Sequence, residues 1–457
     1  MAVAQFTYLP KYKPNHLLII KYAIVFVAGL LIGYGMIPKP VMSVLYLGGI
    51  TVCAWFGLKE KFEKFFSVLP MLCYTEPYIR GYIKNIPYLG MQYMFIGVFG
   101  WLILKNIRKL KPHTNAYLCM VFFAALELLQ SLFPDDSSRI KDILGPSISF
   151  IVIIVWSSFN RISPQLMHRL LTWFKIATVY LAGMVLVAHL KGNISYEHVE
   201  SNLESSNGLA PVQLSSYLGF GCILFIISVM NKEEAKYRIL NLSLFVLCST
   251  LMLLTLSRGG LYFVVIITAL YMFFNKASFK SYFKFILFIP LGWGIYNYTV
   301  KQTGGAIVKR FEEKNASHRG DLILIGFRIF GDDPIIGVGT SNFATQAYYR
   351  KYYYQVSTAH NEFVRAIAEH GIFGFVYWVF FIWMLYEIFQ RHGPNKEFAV
   401  YFFVLFILTV IHNGLKISIQ PLLMMMAIAN PNVMRVKWKQ STQMIASKFK
   451  QSSVVLK

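Results

Sequence analysis

The sequence predicts an all-α polytopic membrane protein with about fourteen transmembrane helices (12–14) and one long outward loop containing short helices. Three observations carry that reading. First, 56% of the 457 residues are hydrophobic, with 39 Phe and 28 Tyr, and the mean hydropathy is +0.51. A soluble domain of this size has no use for so much apolar side chain. Second, apolar runs recur along most of the length, each long enough to cross a hydrocarbon layer of roughly 30 Å as a helix. Third, when fourteen spans are counted, the clusters of basic residues named below all take one side.

In order, spans are expected at 17–36, 40–58, 62–79, 86–104, 116–133, 142–159, 170–190 and 210–230. Further spans are expected at 239–256, 259–275, 283–299, 363–390, 397–413 and 416–430. The third is the weakest, because Pro70 and the Cys73-Tyr74-Thr75 step interrupt it. Pro146, Pro211, Pro290 and Pro421 are tolerable where neighbouring helices satisfy the freed carbonyls. The first run, Leu17 to Met36, is too long for a signal-peptide core and lacks an Ala-x-Ala exit, so it reads as a retained span.

The basic clusters are Lys59, Lys61 and Lys64; Lys105, Arg108, Lys109 and Lys111; and Arg161 with Arg169. They continue with Lys232, Lys236 and Arg238; Lys276, Lys280 and Lys284; Arg391 with Lys396; and the tail with Arg435, Lys437, Lys439, Lys448 and Lys450. That common side is cytoplasmic and holds both termini, so the loop at 300–359 faces outward, as do the loops at 191–209 and around Asp135. The net charge of +23 is thus explained by topology, and no nucleic-acid partner is implied. Four regions result: an N-terminal bundle at 1–299, an outward loop at 300–362, C-terminal spans at 363–430 and a basic tail at 431–457. The tail suits an anionic inner leaflet. The five cysteines all lie in expected spans without a CxxC pair, which reads as core packing rather than disulfides or metal ligation.

Chemistry concentrates between Arg319 and Gly374, where arginines, histidines and the tyrosine-rich YYRKYYY segment leave the membrane together. Arginine suits a diphosphate, because its planar fork binds phosphate oxygens bidentately and stays charged. Arg258, at an outer span end before Gly259-Gly260, is one such residue; the glycines would let phosphate approach the backbone. A snorkelling arginine is its bland alternative. Arg319 and Arg328 lie on an amphipathic run, where a lipid-headgroup contact is the competing reading. His360 follows Ser357-Thr358, either of which is expected to cap a helix there. In the first turn the imidazole would be kept neutral and fit to act as general base; a hydrogen-bonded boundary histidine is the alternative. Asn361 reads as an orienting or capping group, and His370 as structural. His412-Asn413 ends another span and reads as a minor pocket pair. Asp332-Asp333-Pro334 reads as a turn, and no metal site is expected. Within spans, Lys21 and Lys175 are placed to snorkel, whereas Glu127 requires a partner inside the bundle.

These residues come in three islands: SRGG at 257–260, HRGD at 318–321 leading into GDDPIIGVGTSNF, and AHNEFVRAIAEHGIFG at 359–374. In this order and on this side of the membrane, they resemble the O-antigen ligase and polymerase superfamily, over about residues 250–375. The resemblance implies a GT-C-like, metal-independent inverting glycosyltransferase of the bacterial inner membrane, with its active site facing the periplasm. No cofactor is implied. The donor would be an undecaprenyl diphosphate-linked glycan, and the acceptor either a lipid-linked repeat unit (polymerase) or lipid A-core (ligase). By resemblance Arg258 and Arg319 match the family's diphosphate-binding arginines, and His360 its essential histidine. Arg328 and Gly339 have the polymerase spacing of Arg, ten residues, Gly, which places them with Asn361 among the substrate-binding residues. Membrane lipid and a chain-length regulator are the other implied partners. The 191–209 loop carries Lys191 but no arginine, a departure from the paired arginine loops of some polymerases. Polymerisation is the first reading and ligation the second. A flippase is the third, disfavoured because the charges gather on one face instead of lining a path through both halves.

Overall fold

The computed structural model describes residues 16–83, 90–107, 111–133, 137–191, 194, 196, 204, 211–274, 288–312, 319–354, 359–391, 394–415 and 417–429. The lysines at 276, 280 and 284, the basic tail, Asp135, Ser357-Thr358 and most of the 191–209 loop lie outside them. Among the described residues the fold is helical throughout, without strands. The helices are α1 (His16–Gly33), α2 (Lys39–Leu58), α3 (Phe62–Ile83), α4 (Gly90–Asn106), α5 (Tyr117–Gln130) and α6 (Ser137–Phe159). Next come α7 (Pro164–Leu190), α8 (Pro211–Met230), α9 (Arg238–Leu254), α10 (Gly259–Phe274), α11 (Phe288–Gln302) and α12 (Ala306–Glu312). The last six are α13 (Arg319–Asp332), α14 (Phe343–Tyr349), α15 (Glu362–His370), α16 (Phe375–Gln390), α17 (Pro394–Asn413) and α18 (Ile419–Ile428).

Among the described residues each expected span overlaps helix. There, by length and composition, five helical stretches suffice to cross a membrane: Lys39–Leu58, Gln165–Leu190, Pro211–Met230, Glu234–Leu254 and Glu362–Gln390. Five shorter apolar helices accompany them. The chain is an all-α membrane protein.

Close helix approach is made by glycine, as membrane bundles require when dispersion must replace the hydrophobic drive. A Cβ on Gly29 of α1 would lie 2.3 Å from the Tyr180 carbonyl of α7, and one on Gly183 would lie 2.6 Å from the Phe26 carbonyl. The α8–α10 crossing uses Gly219 and Gly260 in the same way.

Three expectations change. The weakest span, α3, is one continuous and deeply buried helix despite Pro70 and Pro77. Pro77 has no N–H for the Cys73 carbonyl, and the Ser418 hydroxyl reaches that carbonyl at 3.5 Å. Lys175 does not snorkel: its ammonium is buried against Ser228 Oγ (2.9 Å) and the Glu234 carboxylate (3.0 Å). Finally, the expected span 363–390 is broken into α15, a 3-10 turn at Gly371–Gly374, and α16. Its first nine residues bury Glu362, Arg365, Glu369 and His370, so α15 is a polar helix held by protein and α16 is the apolar one.

Outside the main core a second, smaller cluster joins Leu322, Ile325 and Ile329 of α13 to Phe343, Ala347, Tyr353, Ala359 and Ala368. This cluster seats the segment where the candidate site lies.

Candidate functional site

Arg258 sits on the turn between α9 and α10, two residues after Leu256, whose φ of 54° is left-handed. For a residue with a Cβ that conformation costs roughly 1–2 kcal/mol, so the surrounding structure must impose it. The Ser215 hydroxyl of α8 does so, donating to the Ser257 carbonyl and accepting from the Gly260 amide, both at 3.1 Å. A Cβ on Gly260 would lie 2.2 Å from the Ser215 carbonyl. Gly260 therefore serves helix packing. The half-buried Arg258 guanidinium lies 5.6 Å above the Phe311 ring of α12.

Phe311 is preceded by Arg310, a buried arginine that sequence reasoning passed over. Burial, and then the charge of Arg310, push the Arg319 guanidinium down to about 10. Helix α12 thus links Arg258, through Phe311, to the Arg310–Arg319 pair.

The segment that bears His360 is packed against α13. Gly326 of α13 fits against Val364 of α15, where a Cβ would lie 2.0 Å from Val364 Cγ1. Farther on, the Ile372 amide donates to the Pro334 carbonyl at 2.8 Å. Both pairs differ by 38 in residue number, so the two helices run parallel. His360 itself precedes α15, and what ties it to α13 is its neighbour Ala359, which shares a small core with Leu322, Ile325 and Ile329. The N-terminal ends of both helices, where their dipoles are positive, point the same way.

His360 is not in the first turn of α15, as expected from sequence. The helix starts at Glu362, and its cap is Asn361, whose Oδ1 accepts from Phe363 N (3.0 Å) and Val364 N (3.4 Å). His360 stands two residues earlier with φ 52°. A left-handed, half-buried histidine held immediately before a cap is a strained position of the kind found at functional sites. Asn361 acts here as a capping and orienting group. His412 and Asn413 end α17.

Arg328 lies elsewhere on α13, its guanidinium 5.0 Å above the Tyr352 ring. Gly339 (φ 89°) donates its amide to the Glu369 carbonyl at 2.8 Å. That N–H is spent on tertiary structure. Gly337 and Gly371 abut each other's segments, so the glycines of GDDPIIGVG and HGIFG lock the loop onto the end of α15. Arg350 binds Asp332 (3.1 Å) and Asp333 (2.6 Å), engaging both carboxylates of the expected turn.

Behind the site lies a buried ionic cluster. Arg365 binds Glu362 (2.5 Å), Glu369 (2.6 Å) and Glu127 of α5 (2.7 Å). Arg365 is thus the partner that Glu127 required. His370 hydrogen-bonds Gln130 and lies 3.8 Å from Glu127. The spacing Glu362, Arg365, Glu369, one face of a helix, was the sequence signal for this cluster. No comparable signal marked Arg310.

The fold is that of a helical membrane protein, with arginines on α12 and α13 and a histidine immediately before the cap of α15. Residues 243–379, from α9 into α16, match the Wzy_C family model, described as O-antigen ligase. No curated protein matches the chain. The matched stretch contains Arg258, Arg310, Arg319, Arg328, Gly339 and His360. It supports the O-antigen ligase/polymerase superfamily and an enzyme of the glycosyltransferase type.

Proposed function

We propose that this protein is a metal-independent inverting glycosyltransferase of the bacterial inner membrane. It takes a glycan from undecaprenyl diphosphate at the periplasmic face and most readily polymerises surface-polysaccharide repeat units. The observation that supports the proposal is the packing of the segment that bears His360 onto α13, the helix that begins at Arg319: Ala359 shares a small core with Leu322, Ile325 and Ile329. In this reading the chain crosses the membrane about fourteen times and the 300–362 region is periplasmic, following the one-sided basic clusters.

The donor diphosphate rests on Arg258 and Arg319, with Arg310 adding to the field. His360 accepts the proton of the acceptor hydroxyl while that oxygen attacks the anomeric carbon from the face opposite the diphosphate. One displacement inverts the centre, and the diphosphate departs with its growing charge held by the guanidinium groups. Arginine positive charge does the work that a divalent cation does elsewhere, and Asp332 and Asp333 are engaged by Arg350.

Ligation to lipid A-core is the second reading, favoured by the description of the matching family. Deletion of the gene followed by electrophoresis of surface glycans separates the two. A single surviving repeat per core identifies a polymerase, and loss of every repeat from lipid A identifies a ligase. An unchanged ladder refutes both.

A further inference from the structure

We propose that the tyrosine-lined groove beside α13 is a saccharide-binding subsite that holds the glycan of the lipid-linked substrate. The inference rests on the glycosyltransferase reading and adds the place where the sugar chain lies. The groove has a volume of about 990 Å³, at the upper end of the ~300–1,000 Å³ usual for small-molecule sites. One wall is a single face of α13: Asp321, Leu324, Ile325 and Arg328, spaced i, i+3, i+4 and i+7. The other wall is tyrosine: Tyr348, Tyr349, Tyr352, Tyr353 and Tyr354.

Among the described residues, half of the lining is tyrosine, Lys351 stands within that wall, and neither phenylalanine nor tryptophan contributes. A pyranose presents flat C–H faces bordered by hydroxyls. A tyrosine matches both, with an apolar ring face and a hydroxyl at the rim, and loses little conformational entropy on contact. An interfacial lipid belt would mix tryptophan and aliphatic side chains; this lining has two aliphatic residues among ten.

The rings are held in place by a polar frame. The Tyr352 hydroxyl donates to Asp332 at 2.5 Å, and Arg350 clamps Asp332 and Asp333 while donating to Gln346 at 3.0 Å. The turn is closed by Lys351 at φ 57° and by the amides of Tyr352 and Tyr353 on the Ala347 carbonyl. Arg328 stacks on Tyr352 from the α13 side. Such a frame fixes the aromatic surface before any ligand arrives.

Position completes the argument. The groove begins in the first turn of α13, on the helix face turned away from Arg319, and runs from Asp321 to Arg328 over about 10 Å. Tyr353 and Ala359 share one small core, so the tyrosine wall and the segment bearing His360 rest on the same support.

The test uses full-length protein in lipid nanodiscs and two exposed rings, Tyr349 (70%) and Tyr354 (69%), whose removal leaves the core intact. Wild type, Tyr349→Ala, Tyr354→Ala and the two Phe variants are compared in transfer kinetics. Binding of repeat-unit oligosaccharide, released from its lipid by mild acid, is followed by saturation-transfer NMR. The alanine variants are expected to raise the KM for lipid-linked glycan about tenfold, leave kcat within about twofold, and lose NMR transfer from the sugar. Phenylalanine should restore most of it, since the ring face is kept. Unchanged KM and unchanged sugar binding in both alanine variants overturn the subsite. So does a loss confined to association with anionic phosphatidylglycerol vesicles, which would make the surface a lipid contact. The NMR arm needs no turnover: a wild type that binds released glycan through these rings but transfers none refutes the enzyme reading and keeps the subsite. A wild type that transfers glycan with groove variants unaffected refutes only the subsite.

Discussion

Arg365 is the residue whose loss should damage this protein most. Its guanidinium makes three charge-assisted contacts of 2.5–2.7 Å with Glu362, Glu369 and Glu127, and side-chain exposure in the cluster is 9% or less. Those carboxylates hold further structure. Glu362 Oε1 accepts the Leu415 amide (3.0 Å), Glu369 Oε1 accepts the Phe343 amide (3.3 Å), and Thr340 donates to the Glu127 carbonyl (2.9 Å). Arg365→Met preserves volume and deletes the charge, leaving three buried carboxylates facing one another beside His370. Removing one partner of a buried pair costs about 3–5 kcal/mol, or a shift of about 10²–10³-fold or more in the folding equilibrium.

The opposite change should be mild. Three carboxylates against one guanidinium leave two formal negative charges, so Glu127→Gln lowers the excess while the amide oxygen still accepts from Arg365. A cost within about 1 kcal/mol is expected. Thermal unfolding of detergent-solubilised protein at pH 7.5 and near pH 5 checks both. The deficit of Arg365→Met should narrow at the lower pH, where the orphaned carboxylates can take up protons. The charge argument is wrong if Arg365→Met unfolds with the wild type, or if Glu127→Gln is as damaging.

At matched expression, Arg258→Lys and Arg319→Lys should each lower transfer by about 10–1000-fold, since an ammonium cannot reproduce the fork. The penalty is sharpest at Arg319, whose site already brings arginine down to about 10 and would drive a lysine toward neutrality. Arg328→Lys should be milder, and near-normal transfer in both of the first two would refute the diphosphate role. His360→Gln should fold, bind lipid-linked donor and turn over at least roughly 100-fold more slowly. The wild-type rate should also fall as acid protonates the base; retention of more than about a tenth of the rate would redirect attention to Asp321 and Glu362. For topology, single cysteines between 300 and 312, in a cysteine-free background, should react with an impermeant thiol reagent in intact spheroplasts. Labelling only after lysis would invert the assignment.

The helices were legible in the sequence because a membrane helix must satisfy its own backbone and show apolar side chains over its length, and both demands are local. The three motif islands were legible for a related reason: glycines at φ 74°, 89° and 59° (Gly337, Gly339, Gly371) mark backbone conformations that few other residues adopt. What those glycines were for was not. The Gly339 amide serves the Glu369 carbonyl, and Gly260 lets α10 meet Ser215, contacts between segments far apart in the chain. Burial alone sets Arg310 apart from the exposed Lys309 beside it, and burial is a tertiary property. Distance hid the break after His370, because the polar face of α15 is tolerable only once Glu127 arrives from α5 to meet Arg365. Local periodicity therefore determined which segments are helices and where the reactive residue types lie. Tertiary structure alone decided which charges meet, because burial, desolvation and helix register depend on partners more than two hundred residues away.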